Sequence, residues 1–409
     1  MIAFIRDNAA FLAAGLLLTF TSSFGQTFFI SVFSGEIREN FGLSHGDWGT
    51  IYAAGTFASA VAMLWAGQAT DVFRVRALCL VVLPFFAAAC LAMASAQAGW
   101  MLLPVIFALR FAGQGMTSHI ATVAMARWFV ATRGRALSIA SMGFALGEAL
   151  LPLTFVALLG VVDWRWLWVL AAALILAVMP VMSRLLTLER TPQSVAEETA
   201  SDGMGGRQWQ RGDVLRHWLF WLMVPALMGP AAFCTAFFFH QVHVAETKGL
   251  SHLTLVALFP VYTASAVAMT LFSGVLIDRL GTRRLMPLVQ VPLVAAFLVL
   301  SAAQGTAAMV AGLVLMAASV GANHTVPSAF WAEFYGTRHL GAVRALASAV
   351  MVLGTALGPI ITGTLIDAGV TFDTQMVGIA GYFVGAAALA ALGVGLAAPA
   401  LPARAAAAR

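Results

Sequence analysis

Gly274-Val275-Leu276-Ile277-Asp278-Arg279-Leu280-Gly281-Thr282-Arg283-Arg284 is a charged stretch that separates two long apolar runs of the chain. A weaker copy at residues 67–76 lies 207 positions earlier and also follows an apolar run. The same offset of 207 relates four identical pairs: Gly134 and Gly341, Ser141 and Ser348, Gly147 and Gly354, and Pro152 and Pro359. The sequence therefore predicts an internal duplication.

The composition places the chain in a lipid bilayer. Of its 409 residues, 61% are hydrophobic and 10% are charged, and the mean hydropathy is +0.92, which is too apolar for a soluble globular protein. Runs such as 78–96 and 285–303 are apolar on every side, whereas strands of a membrane barrel would alternate polar and apolar residues. We therefore predict an all-α integral membrane protein.

Apolar runs of about 20 residues can each cross the bilayer as a helix. We predict twelve spans at 11–33, 47–67, 78–97, 101–126, 136–158, 164–186, 217–241, 252–273, 286–304, 307–330, 342–366 and 374–398. They form two pseudo-symmetric six-helix bundles, residues 1–186 and 217–409, joined by a polar cytoplasmic linker at 187–216. Asp213 is predicted to be the N-cap of the helix that begins the second bundle, and residues 44–47 have the form of a capping box.

The distribution of basic residues predicts the orientation. With a cytoplasmic N-terminus, eighteen of the 22 Lys and Arg residues fall in inner loops or termini, three fall in outer loops, and Arg110 lies inside the fourth span. The positive-inside rule favours this orientation. We expect a multi-pass protein of a bacterial-type inner (cytoplasmic) membrane, with both termini cytoplasmic. The net charge of +5 is explained in this way, so nucleic acid is not an expected partner.

No enzyme motif is found in the sequence. The three cysteines lie in apolar segments, and no Ser/His/Asp set, metal-spaced cluster or phosphate loop is present. We therefore expect no catalytic activity, no cofactor and no resident metal.

The duplicated halves, the inner linker and the charged hinges together resemble the major facilitator superfamily. Residues 274–284 match its Gly-x-x-x-Asp-Arg-x-Gly-x-Arg-Arg loop without a gap, whereas residues 67–76 carry Val72 and Arg74 in place of Arg and Gly. Residues 110–115 are similar to its Arg-x-x-x-Gln-Gly signature in the fourth span. The resemblance implies a transporter with two six-helix bundles.

The hinge loops of this family brace the inner gate between the bundles. By resemblance, gating is assigned to five residues: Asp71, Arg76, Asp278, Arg283 and Arg284. An acid at a helix end can meet the positive N-terminus of another helix, and arginines hold the loop at the inner leaflet. The alternative is that these residues determine topology only.

Arg110 and Glu148 are the ionisable residues predicted to lie deepest in the membrane. A charge there costs several kcal/mol unless it is paired or hydrated, so both are candidate functional residues. Glu148 is predicted to take up and release a proton, with Arg110 as its counter-ion or as the anchor of an anionic substrate. A permanent structural ion pair between adjacent helices remains the alternative.

Polar side chains at helical spacing extend this candidate site. Arg110, Gln114 and Thr117 lie at i, i+4 and i+7 of one helix. The first span carries a similar stripe, from which Ser22, Gln26 and Phe29 are predicted to bind substrate. Individual Ser and Thr residues in a bilayer also serve helix packing.

The second half offers neutral residues. Tyr262, Asn323, His324 and Thr355 are predicted to bind substrate, and His324 is the second candidate proton carrier because histidine titrates near neutral pH. A lone intramembrane histidine can equally be a packing residue.

These observations predict a secondary active transporter that works by alternating access, coupled to protons and functional as a monomer. Residues 331–341 and 41–44 are similar to the monocarboxylate and oxalate/formate branch of the family, which implies a small organic anion as substrate. That branch places a basic residue in the cavity from the eighth or eleventh span, and here Tyr262, Thr355 and their neighbours supply none. The alternatives are efflux of drug-like or amphipathic compounds and, more remotely, a receptor or scaffold that has lost transport.

Overall fold

The computed structural model describes residues 2–67, 69–129, 133–186, 202–336 and 339–401. All regular elements in these ranges are helices, and each predicted span coincides with one or more of them. In span order the helices are Ala9–Ser22, Thr27–Ile30 and Ser34–Phe41 (first), His45–Ala66 (second), Val75–Ser95 (third), Leu102–Leu109, Arg110–Thr117 and Ser118–Trp128 (fourth), Arg133–Leu159 (fifth), Trp164–Leu185 (sixth), Trp218–Phe239 and Gln241–Thr247 (seventh), His252–Val256 and Phe259–Leu280 (eighth), Thr282–Leu288 and Val291–Ala302 (ninth), Thr306–Asn323 and Val326–Tyr335 (tenth), Leu340–Asp367 (eleventh), and Phe372–Ala397 (twelfth).

These helices have the length and surface of membrane helices. In the described ranges, nine helices are long and apolar enough to cross a bilayer, and the bent pair Ala9–Gly25 and Thr27–Phe41 adds a tenth if it is one span. Large apolar side chains remain exposed along them, including Val81 at 68% and Leu271 at 71%. A helix satisfies its backbone hydrogen bonds internally, which lipid requires. The predicted all-α membrane fold is confirmed.

Internal contacts divide the chain into two compact units. The first comprises Met1–Ala196, Phe237–Pro260 and Pro359–Asp367, and the second comprises Glu197–Ala236, Val261–Gly358 and Ala368–Arg409. The first unit thus contains the six N-terminal spans together with the outer ends of the seventh, eighth and eleventh spans, where "outer" means predicted to face outward. The division at a linker stays a prediction, and linker residues 187–201 lie outside the described ranges.

The packing inside each unit repeats. In the first unit the fifth span packs closely against the first, and a Cβ on Gly147 would overlap the Ser23 side chain. In the second unit a Cβ on Gly354 would lie 2.7 Å from the Met228 carbonyl oxygen, where the eleventh span meets the seventh. Gly147 and Gly354 are one of the pairs related by the 207-residue offset. Small residues allow this close approach of membrane helices.

Helix caps agree with the sequence in one case and differ in another. Ser44 and Asp47 form the predicted capping box. The Asp47 N–H donates to the Ser44 hydroxyl at 3.0 Å, and the Ser44 N–H donates to the Asp47 carboxylate at 3.1 Å. The predicted N-cap at Asp213 is wrong, because helix Arg211–Arg216 begins two residues earlier and is capped by Gln210. Asp213 instead occupies the third helical position and accepts the Gln210 N–H at 3.1 Å.

Candidate functional site

The fourth span changes its helical geometry at Arg110. Helix Leu102–Leu109 continues as a π-helical segment over Arg110–Thr117. Its wider turn is evident at Thr117, whose hydroxyl donates to the carbonyl of Ala112, five residues earlier, at 2.7 Å. π-helical turns inside α-helices often occur at functional sites.

The first span is broken beside this segment. Gln26 has an extended backbone with φ −89° and ψ 157°, and the helices on either side of it are bent by 48°. The Phe29 N–H donates to the Gln26 carbonyl at 3.2 Å, whereas in a continuous helix it would donate to Gly25. The break therefore leaves the Gly25 carbonyl available to another donor.

The first and fourth spans are in close contact at Gly25 and Gly113. A Cβ on Gly25 would overlap the Leu109 carbonyl oxygen and lie 2.8 Å from the Gly113 Cα. Both neighbours are backbone atoms, so no side chain can be accommodated there without moving a helix. This close approach brings the available Gly25 carbonyl within reach of Arg110.

The Arg110 guanidinium is fixed but incompletely satisfied. Its Nη1 donates to the Gly25 carbonyl at 3.0 Å, and its Cζ lies 5.3 Å from the centroid of the Tyr52 ring. The residue is 1% exposed, and within the described part of the chain its Nε and Nη2 are buried without a hydrogen-bond partner. Each buried donor without a partner costs about 1–3 kcal/mol.

Tyr52 belongs to this site, although the sequence did not single it out. Its side chain is fully buried, and its hydroxyl hydrogen-bonds the Thr27 hydroxyl at 2.5 Å. Its aromatic face meets the Arg110 cation, an attraction of about 0.5–2 kcal/mol depending on desolvation. The chain has only four tyrosines. The position of Tyr52 inside an apolar run is the sequence signal that could have identified it as a site residue.

Glu148 is not among the contacts of the Arg110 guanidinium. The side chain of Glu148 is partly exposed and lies in helix Arg133–Leu159. Among the described residues, Arg110 contacts Gly25 and Tyr52, and its pairing with Glu148 stays a prediction. A role for Glu148 in proton transfer stays a prediction.

The other predicted residues of the first half have separate environments. Ser22 and Thr117 are buried and donate to carbonyls of their own helices. Phe29 is fully buried in an aromatic cluster, with its ring centroid 4.8 Å from that of Phe155 and 5.4 Å from that of Trp168. Gln26 is 8% exposed at the bend, and Gln114 is partly exposed in the π-helical segment. Substrate binding by these side chains stays a prediction.

The predicted residues of the second half belong to the second unit. Tyr262 is 3% exposed. The Asn323 side chain donates to the Ser319 carbonyl at 3.0 Å, and the Thr355 hydroxyl donates to its own helix at 2.8 Å. His324 is exposed where the tenth span is interrupted. Substrate binding by these four side chains stays a prediction.

The predicted gating residues are described in part. The side chains of Asp71 and Asp278 lie outside the described part of the structure. Arg76, Arg283 and Arg284 are exposed. Gating by these five residues stays a prediction.

Comparisons with known proteins agree with this architecture. The family model for the Major Facilitator Superfamily matches residues 15–289 and 243–409. A bacterial homologue of the human lysosomal transporter Spinster, solved in an inward-facing, unoccupied conformation, has a TM-score of 0.73 and 16% identity, with 97% of this chain and 99% of that chain covered. The nucleoside transporter NupG has a TM-score of 0.72 and 14% identity, with coverage of 94% and 98%. The comparison with curated proteins found no similar sequence.

Proposed function

The chain belongs to the Major Facilitator Superfamily, and from this premise we propose that it carries a small organic anion, such as a monocarboxylate, by proton-coupled alternating access. It is a multi-pass membrane protein with a transporter fold and not an enzyme. We infer further that it works as a monomer in a bacterial-type inner membrane with both termini cytoplasmic. The observation that carries the proposal is the incompletely satisfied guanidinium of Arg110.

The free donors of Arg110 suit a carboxylate. Nη1 is occupied by the Gly25 carbonyl, and the two nitrogens without partners are Nε and Nη2. These two nitrogens donate from one edge of the planar guanidinium, which matches the two oxygens of a carboxylate in a bidentate pair. The bound anion would satisfy both donors and neutralise a charge that is costly inside a membrane.

Proton coupling is assigned to Glu148, with His324 as the second candidate. A carboxyl group in a membrane helix is neutral when protonated and charged when deprotonated. Exposure to water favours the charged form, so the group can release its proton when the transporter exposes it to water and bind a proton when it is buried.

Gln26 and Gln114 are proposed to hydrogen-bond the substrate near Arg110. Ser22, Phe29, Thr117, Tyr262, Asn323 and Thr355 complete the proposed substrate-binding set. Asp71, Arg76, Asp278, Arg283 and Arg284 are proposed to act in gating.

Ligand-induced stabilisation tests the proposal. The purified protein is heated with a panel of small carboxylates, sugars, amino acids and lipophilic cations. A ligand at 100 times its dissociation constant stabilises the folded state by about 2.7 kcal/mol. We expect a carboxylate to raise the melting temperature, and Arg110→Gln to abolish that rise.

Arg165→Gln is the matched control. Arg165 also lies over an aromatic ring, that of Trp164 at 4.5 Å, and its Nη1 donates to the carbonyls of Ala94 and Ala96. The Arg165→Gln variant should therefore keep the rise in melting temperature that the carboxylate causes. A carboxylate response that survives in Arg110→Gln would overturn the assignment of Arg110.

One observation favours efflux of lipophilic compounds as a second candidate. An open apolar groove of about 610 Å³ runs along the second, third and fourth spans and is lined by side chains that include Phe73, Phe85 and Phe111. If only lipophilic compounds stabilise the protein, and they do so equally in Arg110→Gln, efflux replaces anion transport.

A further inference from the structure

Three histidines meet at the outer ends of the second and seventh spans. The ring of His45 lies 4.6 Å from that of His243 and 5.6 Å from that of His240, centroid to centroid. His45 begins helix His45–Ala66, and the other two follow helix Trp218–Phe239. All three belong to the first unit. We call them the histidine cluster.

The outer end of the eleventh span contacts the start of the second helix, beside the histidine cluster. The carboxylate of Asp367 accepts the backbone N–H of His45 at 3.1 Å and that of Gly46 at 2.6 Å. The first N–H groups of a helix have no partner within the helix and carry partial positive charge, so an acid is stabilising there. A Cβ on Gly46 would lie 2.6 Å from the Asp367 carboxylate. Glycine therefore permits the carboxylate to approach.

Other contacts join the seventh span to the first and to the eleventh. Gln241 donates to the Ser31 hydroxyl at 2.6 Å and to the Phe28 carbonyl at 3.2 Å. The His240 ring is hydrogen-bonded to the Thr362 hydroxyl at 3.0 Å. The histidine cluster thus lies inside a closed contact between four spans of the first unit.

The electrostatics of the cluster favour a neutral imidazole at His45. Burial, the Arg38 guanidinium and the neighbouring His243 lower the pKa of His45 to about 4, and Asp367 opposes part of this shift. The elements around the cluster carry these other titratable or charged groups: Glu36, Arg38, Glu39, Asp47, Glu246, Lys248, His252 and Asp367. Glu246 and Asp367 act on Arg38 with opposite charge, so that the cation remains beside His45.

We propose that His45, His240 and His243 form a proton-binding site, and that protonation separates the outer ends of the second, seventh and eleventh spans. Separated histidines are hydrated, and a hydrated histidine has a pKa of about 6.5. The proton therefore binds the open contact more tightly than the closed one, and a ligand shifts a protein toward the state that it binds better.

The direction of the pH effect follows from the lowered pKa. The closed contact is fully favoured above pH 6.5 and is weakened as the pH falls toward 4. If His45 alone moves from about 4 to about 6.5 on opening, the ratio of open to closed molecules rises on the order of thirtyfold between pH 7.5 and pH 5. An acidic outer compartment would then favour the outward-open state. This inference rests on the proposed alternating access.

Distance measurements between two spin labels test the site without substrate. Two exposed positions of the first unit are labelled, through Asn40→Cys at the outer end of the first span and Thr247→Cys at the outer end of the seventh. The native cysteines Cys79, Cys90 and Cys234 are buried. In lipid nanodiscs we expect the label distances to shift from a short to a long population between pH 7.5 and pH 5.

Substitutions of histidine test whether the cluster causes the pH-dependent change in label distance. The triple variant His45→Gln, His240→Gln and His243→Gln should lose the pH-dependent shift, and His45→Gln alone should reduce it. His119→Gln is the control, because His119 lies by Thr70 in the first unit and should leave the shift unchanged. A distance distribution that does not respond to pH, or a shift that persists in the triple variant, overturns the proposal. Failure of anion binding at Arg110 would leave this result unaffected, so the two proposals can fail separately.

Discussion

Replacing Arg110 by methionine should change the stability of the ligand-free protein by less than about 2 kcal/mol. The substitution keeps an unbranched apolar stem and removes the guanidinium. The bond to the Gly25 carbonyl is worth about 1.5–3 kcal/mol as a charged hydrogen bond. The contact with the Tyr52 ring is worth about 0.5–2 kcal/mol. Against these losses, two buried donors without partners each cease to cost about 1–3 kcal/mol. Gains and losses nearly cancel.

The opposite result is expected if Arg110 is half of a structural ion pair. Removing one partner of a buried pair costs about 3–5 kcal/mol, because the other charge is left uncompensated. Unfolding in mixed detergent micelles, followed by the fluorescence of the 11 tryptophans, measures the difference. A loss of 3 kcal/mol or more in Arg110→Met, together with strong coupling to Glu148→Gln in a double-mutant cycle, would refute the reasoning.

Three further predictions concern stability. Gly25→Ala should destabilise by about 1–3 kcal/mol through overpacking, since its Cβ would lie 2.8 Å from the Gly113 Cα. Gly378→Ala, whose Cβ would meet no described atom within 4 Å, should instead be neutral or stabilising by up to about 1 kcal/mol in the same unfolding assay, because alanine is the better helix former. The lowered pKa of His45, about 4, predicts that melting temperature falls as the pH is lowered from 6.5 toward 4, and that His45→Gln lessens this fall. Ser44→Ala should cost about 0.5–2 kcal/mol by removing a helix cap, as measured by denaturant titration.

Each of these predictions has a contrary result. Equal stability of Gly25→Ala and Gly378→Ala would contradict the close approach of the first and fourth spans. A melting temperature independent of pH between 6.5 and 4 would contradict the burial of His45. An unchanged midpoint in Ser44→Ala would mean that the capping box contributes nothing to the second helix.

The helices were predictable because their signal is local. Apolar runs of membrane length predicted where the helices of the described ranges lie, nine or ten of which are long and apolar enough to cross a bilayer. The Ser44–Asp47 pattern identified the start of the second helix. Arg110 was predictable as a candidate because a cation in an apolar run is costly wherever the chain places it. Each of these inferences depends on a few neighbouring residues.

The details of the site were not predictable because they depend on departures from a regular helix. The predicted stripe on the first span assumed 3.6 residues per turn through Gln26, but the bend there places Phe29 in an aromatic core. The stripe from Arg110 to Thr117 assumed the same period, and the π-helical segment changes it. The partners of Arg110 come from other spans, so no local pattern could have identified the Gly25 carbonyl or Tyr52.

The histidine cluster also could not be predicted from a local sequence pattern. His45, His240 and Asp367 are separated by more than a hundred residues along the chain, and each occupies the end of a different span. Their association results from tertiary packing of helix ends. A sequence can show that such residues are present at loops, and packing decides which of them meet.

Transport into proteoliposomes tests the central claim most directly. Uptake of the carboxylate that best stabilises the protein is measured with and without an imposed pH gradient, acidic on the side from which the anion enters. We predict accumulation only with the gradient, an affinity at least about tenfold weaker in Arg110→Gln from the lost bidentate pair, and loss of gradient-driven accumulation in Glu148→Gln. Unchanged affinity in Arg110→Gln, or full proton-driven uptake in Glu148→Gln, would contradict the account.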